Sequence, residues 1–219
     1  MATLATLADD VYVLTNRPDL VSETRVALRK AIMKLHSADT FKRDLVVQRL
    51  QMALYSPTSP GLFRWVIQLS DFPLFRRPKF LRYPPELAIP VQVPAPLIDY
   101  TGVARWQREF KEVAADQLFD AYSSEWLNYF YVAGSSLVIK AAYGVDYLDF
   151  SYYKYPTIPT STSDPIVSWI CDQYPDAAIE EAAGTVFKMI GKDDEHARYQ
   201  SLFAENIAIL RGTDIGEGV

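Results

Sequence analysis

Three consecutive helix signals with clear boundaries occupy residues 164–211, and they constrain the fold more than any other stretch. Asp164 and Pro165 have the residue types that begin a helix, and Tyr174-Pro175 must interrupt it, since the residue before a proline avoids the α region. The helix that restarts there has the i, i+3, i+4, i+7 spacing of one buried stripe. The stripe consists of Ile179, Ala182, Ala183, Val186, Phe187 and Ile190, whereas Glu180, Glu181 and Lys188 are predicted to face solvent.

The end of this helix and the start of the next are also marked. Gly191 suits the left-handed cap that ends a helix. Asp193, Asp194 and Glu195 place negative charge at the N-terminus of a third helix, which Gly212 is expected to close. The stretch therefore predicts a helical hairpin, with residues 212–219 as a flexible tail.

Two further helices are predicted at the beginning of the chain. The first has Leu4, Leu7, Val11 and Leu14 on one face, and residues 16–19 break it. The second, at about 20–39, has an apolar stripe formed by Val21, Leu28, Ile32 and Leu35. Its remaining surface is basic and is either a solvated face or a docking surface for an acidic partner, formed by Arg25, Arg29, Lys30 and Lys34.

From about residue 41 the pattern changes to alternation. Residues 45–55 and 62–69 are typical of two strands joined by a turn at 56–61, which predicts a β-hairpin. Nine of the fourteen prolines lie between Pro57 and Pro96. This density forbids long helices and predicts an ordered, irregular arm over 57–98 that packs on its own domain or on a neighbouring subunit. The candidate contact residues of the arm are Phe75, Arg76, Arg77, Phe80, Arg82 and Tyr83.

No proline occurs between Leu97 and Tyr155, where the main sheet is expected. Strands are predicted at 100–111, 127–132, 136–141 and 146–155, with one or two helical turns at 115–122 and turns at 133–136 and 143–144. Eight of the fourteen tyrosines lie between Tyr122 and Tyr155. They suit either subunit contacts or an outer sheet face that is rich in tyrosine.

These patterns predict an α+β fold in which the N- and C-terminal helices form one helical bundle and an antiparallel β-rich module is inserted between them. The expected bundle comprises residues 1–40 and 160–211, and the insertion comprises 41–159 with the arm at 57–98. A chain of 219 residues with 49% apolar side chains is large and apolar enough to bury such a core.

Motifs of catalysis or cofactor binding are missing from the sequence. There is no GxGxxG, GxxxxGK[ST] or GxSxG segment. His36 and His196 each lie on a predicted helix without a partner at metal-ligand spacing, and both are expected at the surface or its boundary. Cys171 has no base nearby in sequence and is expected to be a buried structural thiol. No catalytic, cofactor-binding or metal-ligating residue is predicted, and the chain is not expected to be an enzyme.

Paired acids do not change that expectation. The adjacent pairs are Asp9/Asp10, Glu180/Glu181 and Asp193/Asp194. Neighbouring residues on a helix point about 100° apart, so no pair has the facing geometry of an acid and a nucleophile. Capping of helices and exposure to solvent explain these acids better.

Composition also limits the partners and the compartment. The net charge of −5 disfavours a general nucleic-acid binder, and a single cysteine fits a reducing compartment. No apolar run reaches the length of about 18 residues that a membrane span needs. The opening MATLATLADD has no basic leader, so the chain is expected to be neither membrane-embedded nor Sec-secreted.

Several segments together carry a family resemblance. The strand DFSYYKYPTIP is followed after a polar gap by DPIVSWICDQYPDAAIEEAAGTVFKMIGKDDEHARYQSLFAENIAIL. This order of paired aromatics, Trp-bearing short helix, Tyr-Pro-Asp break, Ala-rich helix and acid-started helix resembles the head-to-tail adaptor (connector) proteins of tailed bacteriophages. The opening TLATLADDVYVLTNRPDL and the segment FKEVAADQLFDAY are similar to further elements of that family, whereas residues 41–96 match it less well.

The resemblance implies a structural protein of the virion at the head–tail junction, made in the host cytoplasm. Such adaptors form a ring, typically dodecameric, below the portal protein, and a C-terminal extension reaches the portal. Their β module points toward the tail nozzle or fibres, and DNA is only passing cargo. The implied portal-contacting residues are Arg211, Gly212, Thr213, Asp214, Ile215 and Val219. No cofactor and no membrane partner are implied.

Two alternatives remain at this point. A stopper, completion or other ring protein of the neck or tail has nearly the same composition. A tail-associated glycan-binding module or cell-wall hydrolase needs two facing acids beside exposed aromatic rings. The sequence around the tyrosine-rich region gives no reason to pair any two acids as this second alternative requires. The acids there are Asp99, Asp116, Asp120, Asp146 and Asp149.

Overall fold

The structure is a computed structural model, and it describes residues 2–55, 63–84, 109–114, 128–141 and 146–216. In that part the chain is a mixed α+β protein with five α-helices and a seven-stranded sheet. The helices are α1 (Leu4–Thr15), α2 (Val21–Ser37), α3 (Trp169–Gln173), α4 (Pro175–Met189) and α5 (Asp193–Gly216). The strands are β1 (Leu45–Gln51), β2 (Phe63–Gln68), β3 (Phe75–Arg82), β4 (Glu109–Glu112), β5 (Tyr129–Ala133), β6 (Ser136–Ala141) and β7 (Tyr147–Lys154).

The chain divides into two compact units. Residues 1–45 and 155–219 form the first, which contains all five helices, and residues 46–154 form the second, which contains nearly all of the sheet. Each unit has its own apolar core.

Helix α4 lies at the centre of the first unit and contacts each of the other four helices. Nine of its fifteen residues are buried, and five of these nine are alanine or glycine, which allows neighbouring helices to approach closely. A Cβ added to Gly184 would lie 2.8 Å from the Cβ of Tyr199 on α5. The predicted apolar stripe of α4 does face the core, but the prediction that Glu181 faces solvent is wrong because this side chain is buried.

The start of the chain is joined to the segment before α3. The Ala5 N–H donates to the Thr162 carbonyl at 3.1 Å, and the Ile166 N–H donates to the Ala2 carbonyl at 2.9 Å. The Thr3 hydroxyl caps α1 by accepting from the Thr6 N–H. Residues far apart in sequence therefore complete one unit.

Most helix boundaries agree with the sequence pattern. The break at Tyr174-Pro175 is confirmed, with Pro175 in the first turn of α4, and Gly191 has the expected left-handed φ of 75°. A helix start at Asp164 is wrong, because residues 164–167 are not helical and Ser168 caps α3 instead. The exposed positions of Leu14 and Val21 also differ from the predicted stripes.

The prediction that Gly212 closes the last helix is wrong. Helix α5 continues to Gly216, and Gly212 lies inside it with space around its Cα. The flexible tail expected from residue 212 is therefore helical through 216, and 217–219 lie outside the described residues. A glycine inside a helix lowers its stability by only about 1 kcal/mol relative to alanine. Contacts of the following residues are enough to offset this cost, so the helix continues.

The strand order is β1-β7-β3-β4-β5-β6-β2, which places β1 and β2 at opposite ends of the row. The predicted hairpin between 45–55 and 62–69 is therefore wrong. Strand β2 pairs instead with β6, where Trp65 lies opposite Ile139. Strands β4 and β5 run parallel, so the sheet is not antiparallel throughout as expected. Alternation identifies a strand but carries no information about its partner.

Part of the predicted irregular arm is an interior strand. Strand β3 pairs with β7 on one side and β4 on the other. Pro78 has no N–H to donate, and register shifts between Phe75 and Arg77 and between Pro78 and Phe80 accommodate it. The expectation of an irregular, edge-like segment is wrong for residues 75–82.

The sheet carries apolar residues on both faces. One face is the main core of the second unit and includes Trp65, Ile67, Phe130, Ile139 and Phe150. A smaller cluster consists of Val113, Tyr129, Tyr131 and Val138. The predictions for the turn at 56–61, the arm at 85–98, the strand part at 100–108, the helical turns at 115–122 and the turn at 143–144 lie outside the described residues.

Candidate functional site

A buried polar network joins α2, the turn before β1 and the start of α3. Both carboxylate oxygens of Asp44 lie within hydrogen-bond distance of His36 Nδ1, at 3.0 and 2.9 Å. His36 Nε2 is 2.9 Å from the Ser168 hydroxyl. The Trp169 indole N–H donates to Asp44 at 3.0 Å, and the Cys171 N–H donates to Ser168 at 3.2 Å.

One assignment of protons satisfies every one of these groups. His36 donates from Nδ1 to the Asp44 carboxylate and accepts at Nε2 from the Ser168 O–H, while Ser168 accepts from the Cys171 N–H. The order Asp–His–Ser is that of a hydrolase triad. His36, Asp44 and Ser168 are, however, 1%, 3% and 4% exposed, so a substrate has no access to the hydroxyl. The geometry therefore fits a buried hydrogen-bond network with a structural role, which holds three segments of the first unit together.

The burial of His36 contradicts the prediction that it lies at the surface or its boundary. The sequence contained a signal that would have found it, because His36 follows Ile32 by four residues and so continues the buried stripe of α2. His196 does lie at the boundary, where Nδ1 is 2.9 Å from the Gly184 carbonyl.

Cys171 is buried in the same region, as expected from sequence. Burial raises the pKa of its thiol to about 11, with a smaller opposing effect of the hydrogen bond to Ser168. A thiol with such a pKa is protonated at neutral pH and is a poor nucleophile. This cysteine is structural.

The C-terminal turns, implied by the resemblance to contact the portal, are attached to the first unit. Arg211 forms an ion pair with Asp39. The Asp214 carboxylate accepts from the backbone N–H groups of Lys42 at 2.8 Å and Arg43 at 3.3 Å. The Thr213 hydroxyl donates to the Ile209 carbonyl, and Gly212 has open space around it. The side chain of Ile215 and all of Val219 lie outside the described part.

The four bases proposed as a docking surface on α2 do not act as one set. The Arg29 guanidinium donates to the carbonyls of Pro159 and Thr160, and Lys34 pairs with the buried Glu181 at 2.6 Å. Lys34 also lies 4.0 Å from the centre of the Phe203 ring. These two bases hold the first unit together, whereas Arg25 and Lys30 are exposed.

The residues proposed for an arm contact lie on β3 and just after it. Tyr83 is buried and Arg77 is exposed, while Phe75, Arg76, Phe80 and Arg82 are half-buried. The guanidinium groups of Arg76 and Arg77 both lie 5.4 Å from the centre of the Tyr153 ring on β7. Arg82 lies 4.9 Å from the centre of its neighbour Phe80. These contacts are consistent with cation–π packing on the strands.

Asp149 is the acid that faces this basic set on β7. Its carboxylate accepts from Arg49 Nε on β1 at 2.9 Å, and its register partner on β3 is Arg82. The Nε of Arg82 is buried and makes no hydrogen bond. We name the set Arg49, Arg76, Arg77, Phe80, Arg82, Asp149 and Tyr153 the cationic sheet face.

The acids considered for a hydrolase are not brought together in the described part. Asp149 is engaged by Arg49, and the backbone carbonyl of Asp146 accepts from the Met52 N–H. Asp99, Asp116 and Asp120 lie outside the described residues. Within the described ranges no group of three His, Cys, Asp or Glu side chains is arranged to hold a metal ion. No helix there is long and apolar enough to cross a membrane.

No protein-family model matches the chain, and no curated protein matches it.

Proposed function

We propose that this chain is a head-to-tail adaptor of a tailed bacteriophage, a structural virion protein. Its copies form a ring between the portal and the tail nozzle or fibres. The ring helps to seal the head and gives passage to DNA during ejection. The proposal requires no catalytic centre and no cofactor.

The observation that carries the proposal is the role of the residues on which the resemblance depends. Trp169 donates to Asp44 and packs edge-on against Phe41 and Tyr174, with ring centres 5.2 and 6.4 Å apart. Pro175 and Asp176 begin the central helix α4 directly afterwards. The motif that resembles the adaptor family thus supplies contacts between α3, the start of α4 and the turn before β1 within the first unit.

The arrangement of the units supports the same proposal. We interpret the first unit as a single helical bundle built from both ends of the chain, with the sheet unit as a module inserted into it. A closed ring needs only one heterologous contact that repeats, and a chain with two separate units offers two different surfaces for that contact.

Portal binding is assigned to the C-terminal residues 211–219. In the free chain Arg211 and Asp214 hold the last turns of α5 against residues 39–43. The Arg211–Asp39 ion pair is partly exposed, and such pairs are individually weak, whereas the Asp214 carboxylate is buried. Binding to the portal would exchange them for contacts with the partner.

The test uses the portal protein encoded in the same genome, purified as rings. Replacing Ile215 and Val219 with Asp in the full chain is expected to weaken binding to the portal rings by at least about tenfold, because buried apolar anchors dominate interface energies. Circular dichroism and the melting temperature establish that the variant is folded, so that lost binding is distinguished from lost folding. Wild-type chain that does not bind portal rings, or a variant that binds equally well, would contradict the assignment.

A further inference from the structure

The cationic sheet face lies on strands with an unusual charge. Strands β1, β7 and β3 contain six basic side chains and one acidic side chain, Asp149. The chain as a whole has a net charge of −5, so this local excess is opposite to the overall charge. Adjacent on β4, Glu109 is exposed and lies opposite Arg82 in register.

Part of this charge is available to a partner. Arg77 and Lys79 are exposed, and neither forms an ion pair with a described residue. The side chain of Arg49 is 49% exposed even though it contacts Asp149. Arginine presents five N–H donors in a planar fork that matches a carboxylate or a phosphate. The face therefore fits an anionic partner.

The aromatic rings of the face help to distinguish between anions. Tyr153 is 4% exposed because the sheet and two guanidinium groups surround it. Proteins that bind single-stranded nucleic acid stack bases on exposed aromatic rings, and this ring is not free to do so. What the face presents to solvent is the charge of its basic groups, which suits a surface of carboxylates.

The chain itself carries such a surface. Residues 1–45 and 155–219 contain seventeen acidic and eleven basic side chains, a net charge of −6, whereas residues 46–154 contain ten acidic and eleven basic ones, a net charge of +1. Many of the acids of the helical unit are exposed, among them Asp9, Asp10, Asp193 and Asp194. The sheet unit of one copy and the helical unit of another therefore carry net charges of opposite sign.

We infer that the cationic sheet face binds the acidic helical unit of a second copy of this chain. A contact between different surfaces of two identical chains is heterologous and repeats from copy to copy. The inference rests on the proposed ring and assigns its repeated contact to two particular surfaces. It also explains how chains with the same net charge associate, since the contact joins regions of opposite sign.

The experiment measures the assembly of the full chain by native mass spectrometry and sedimentation velocity, with and without portal rings. The variant is Arg77→Glu/Lys79→Glu, which reverses one exposed charge of the cationic sheet face and one at the neighbouring register shift of β3, and neither residue has an ion-pair partner among the described residues. The matched control is Arg25→Glu/Lys30→Glu, which makes the same change of net charge on the exposed part of α2. Circular dichroism and the melting temperature establish that both variants are folded.

The expected result is that wild type and control assemble, while Arg77→Glu/Lys79→Glu has an assembly midpoint at least about tenfold higher in concentration. Assembly of the wild type should also weaken between about 0.1 and 0.5 M NaCl, where screening shortens the range of charge interactions. Assembly of the sheet variant equal to that of wild type would overturn the inference and leave the ring proposal intact. Loss of assembly in the α2 control alone would place the contact on α2 and overturn it too.

A second measurement distinguishes a nucleic-acid partner. Binding of a labelled duplex DNA is followed by fluorescence anisotropy at about 0.1 M NaCl. The inference predicts that wild type and Arg77→Glu/Lys79→Glu bind this DNA equally weakly. A sheet variant that loses DNA affinity but still assembles would identify the face as a DNA contact. Wild type that forms no multimer even on portal rings would instead contradict the proposed function.

Discussion

The buried contacts of Asp44 determine how three segments of the helical unit meet. Its carboxylate accepts hydrogen bonds from His36 on α2 and from Trp169 on α3, and Asp44 itself directly precedes β1. A charge this deeply buried is stable only while its partners remain in place. Loss of one partner is therefore expected to destabilise the whole network in the first unit.

Replacing Asp44 with Ala leaves the ring N–H of His36 and the indole N–H of Trp169 without their acceptor. We expect the free energy of unfolding to fall by about 2–4 kcal/mol, since each buried unpaired donor costs about 1–3 kcal/mol. Urea denaturation followed by tryptophan fluorescence measures the change. The exposed Asp10→Ala on α1 is the control and should change stability by less than about 0.5 kcal/mol. Equal stability of the two variants would mean that the network does not hold the unit together.

Cys171 makes stability depend on alkaline pH. Because burial raises the pKa of its thiol from 9.0 to about 11, the folded state favours the protonated form. The resulting stabilisation is complete below pH about 9 and is lost as the pH rises toward about 11. Between pH 8 and 11, wild type should lose about 2–3 kcal/mol more than Cys171→Ala. Parallel stability profiles of the two proteins in urea titrations would show that the thiol ionises freely in the folded chain.

At the level of elements, the contact between α4 and α5 depends on a missing side chain. Gly184 lies where a Cβ would come within 2.8 Å of the Cβ of Tyr199, and this atom is attached to the backbone of α5. Tyr199 also stacks on Phe187, with ring centres 5.5 Å apart. The two helices cannot separate at this point without disturbing that aromatic pair.

The substitution Gly184→Ala is expected to lower stability by about 1–3 kcal/mol, because overpacking here exceeds the gain in helix propensity. Gly212→Ala is the matched control, since this glycine is also inside a helix but has nothing within 4 Å of an added Cβ. It should raise stability by up to about 1 kcal/mol. Thermal unfolding compares both variants with wild type. A stabilising Gly184→Ala would mean that the helices are farther apart than described.

Local patterns predicted the helices better than the sheet. Proline and glycine positions found the break at Tyr174-Pro175 and the cap at Gly191, because their effects on the backbone are local. Partners of β1 and β2 were not predictable, since these strands pair with β7 and β6, which lie far along the chain. Strand β7 is buried on both faces and so lacks alternation.

The candidate sites were also predictable only where they depended on residues close together in sequence. Cys171 was correctly expected to be buried, and the basic positions of α2 were visible in sequence. The partner of Lys34 was not, because Glu181 is 147 residues away. The cationic sheet face was missed as a unit, since it forms only when Arg49, Arg82 and Asp149 are brought together by strand pairing.

At the scale of the whole molecule, the two units differ in net charge. The helical unit carries a net charge of −6 and the sheet unit one of +1. An assembly that repeats one heterologous contact uses such asymmetry, because every copy offers both an acidic and a basic surface.

Electron microscopy of the full chain mixed with portal rings tests the adaptor proposal most directly. The expected image is a closed ring of about twelve copies, one against the next, seated on one end of the portal. Mass measurement of the same sample gives the copy number independently. Portal rings that stay bare at a large excess of folded chain would contradict the proposal.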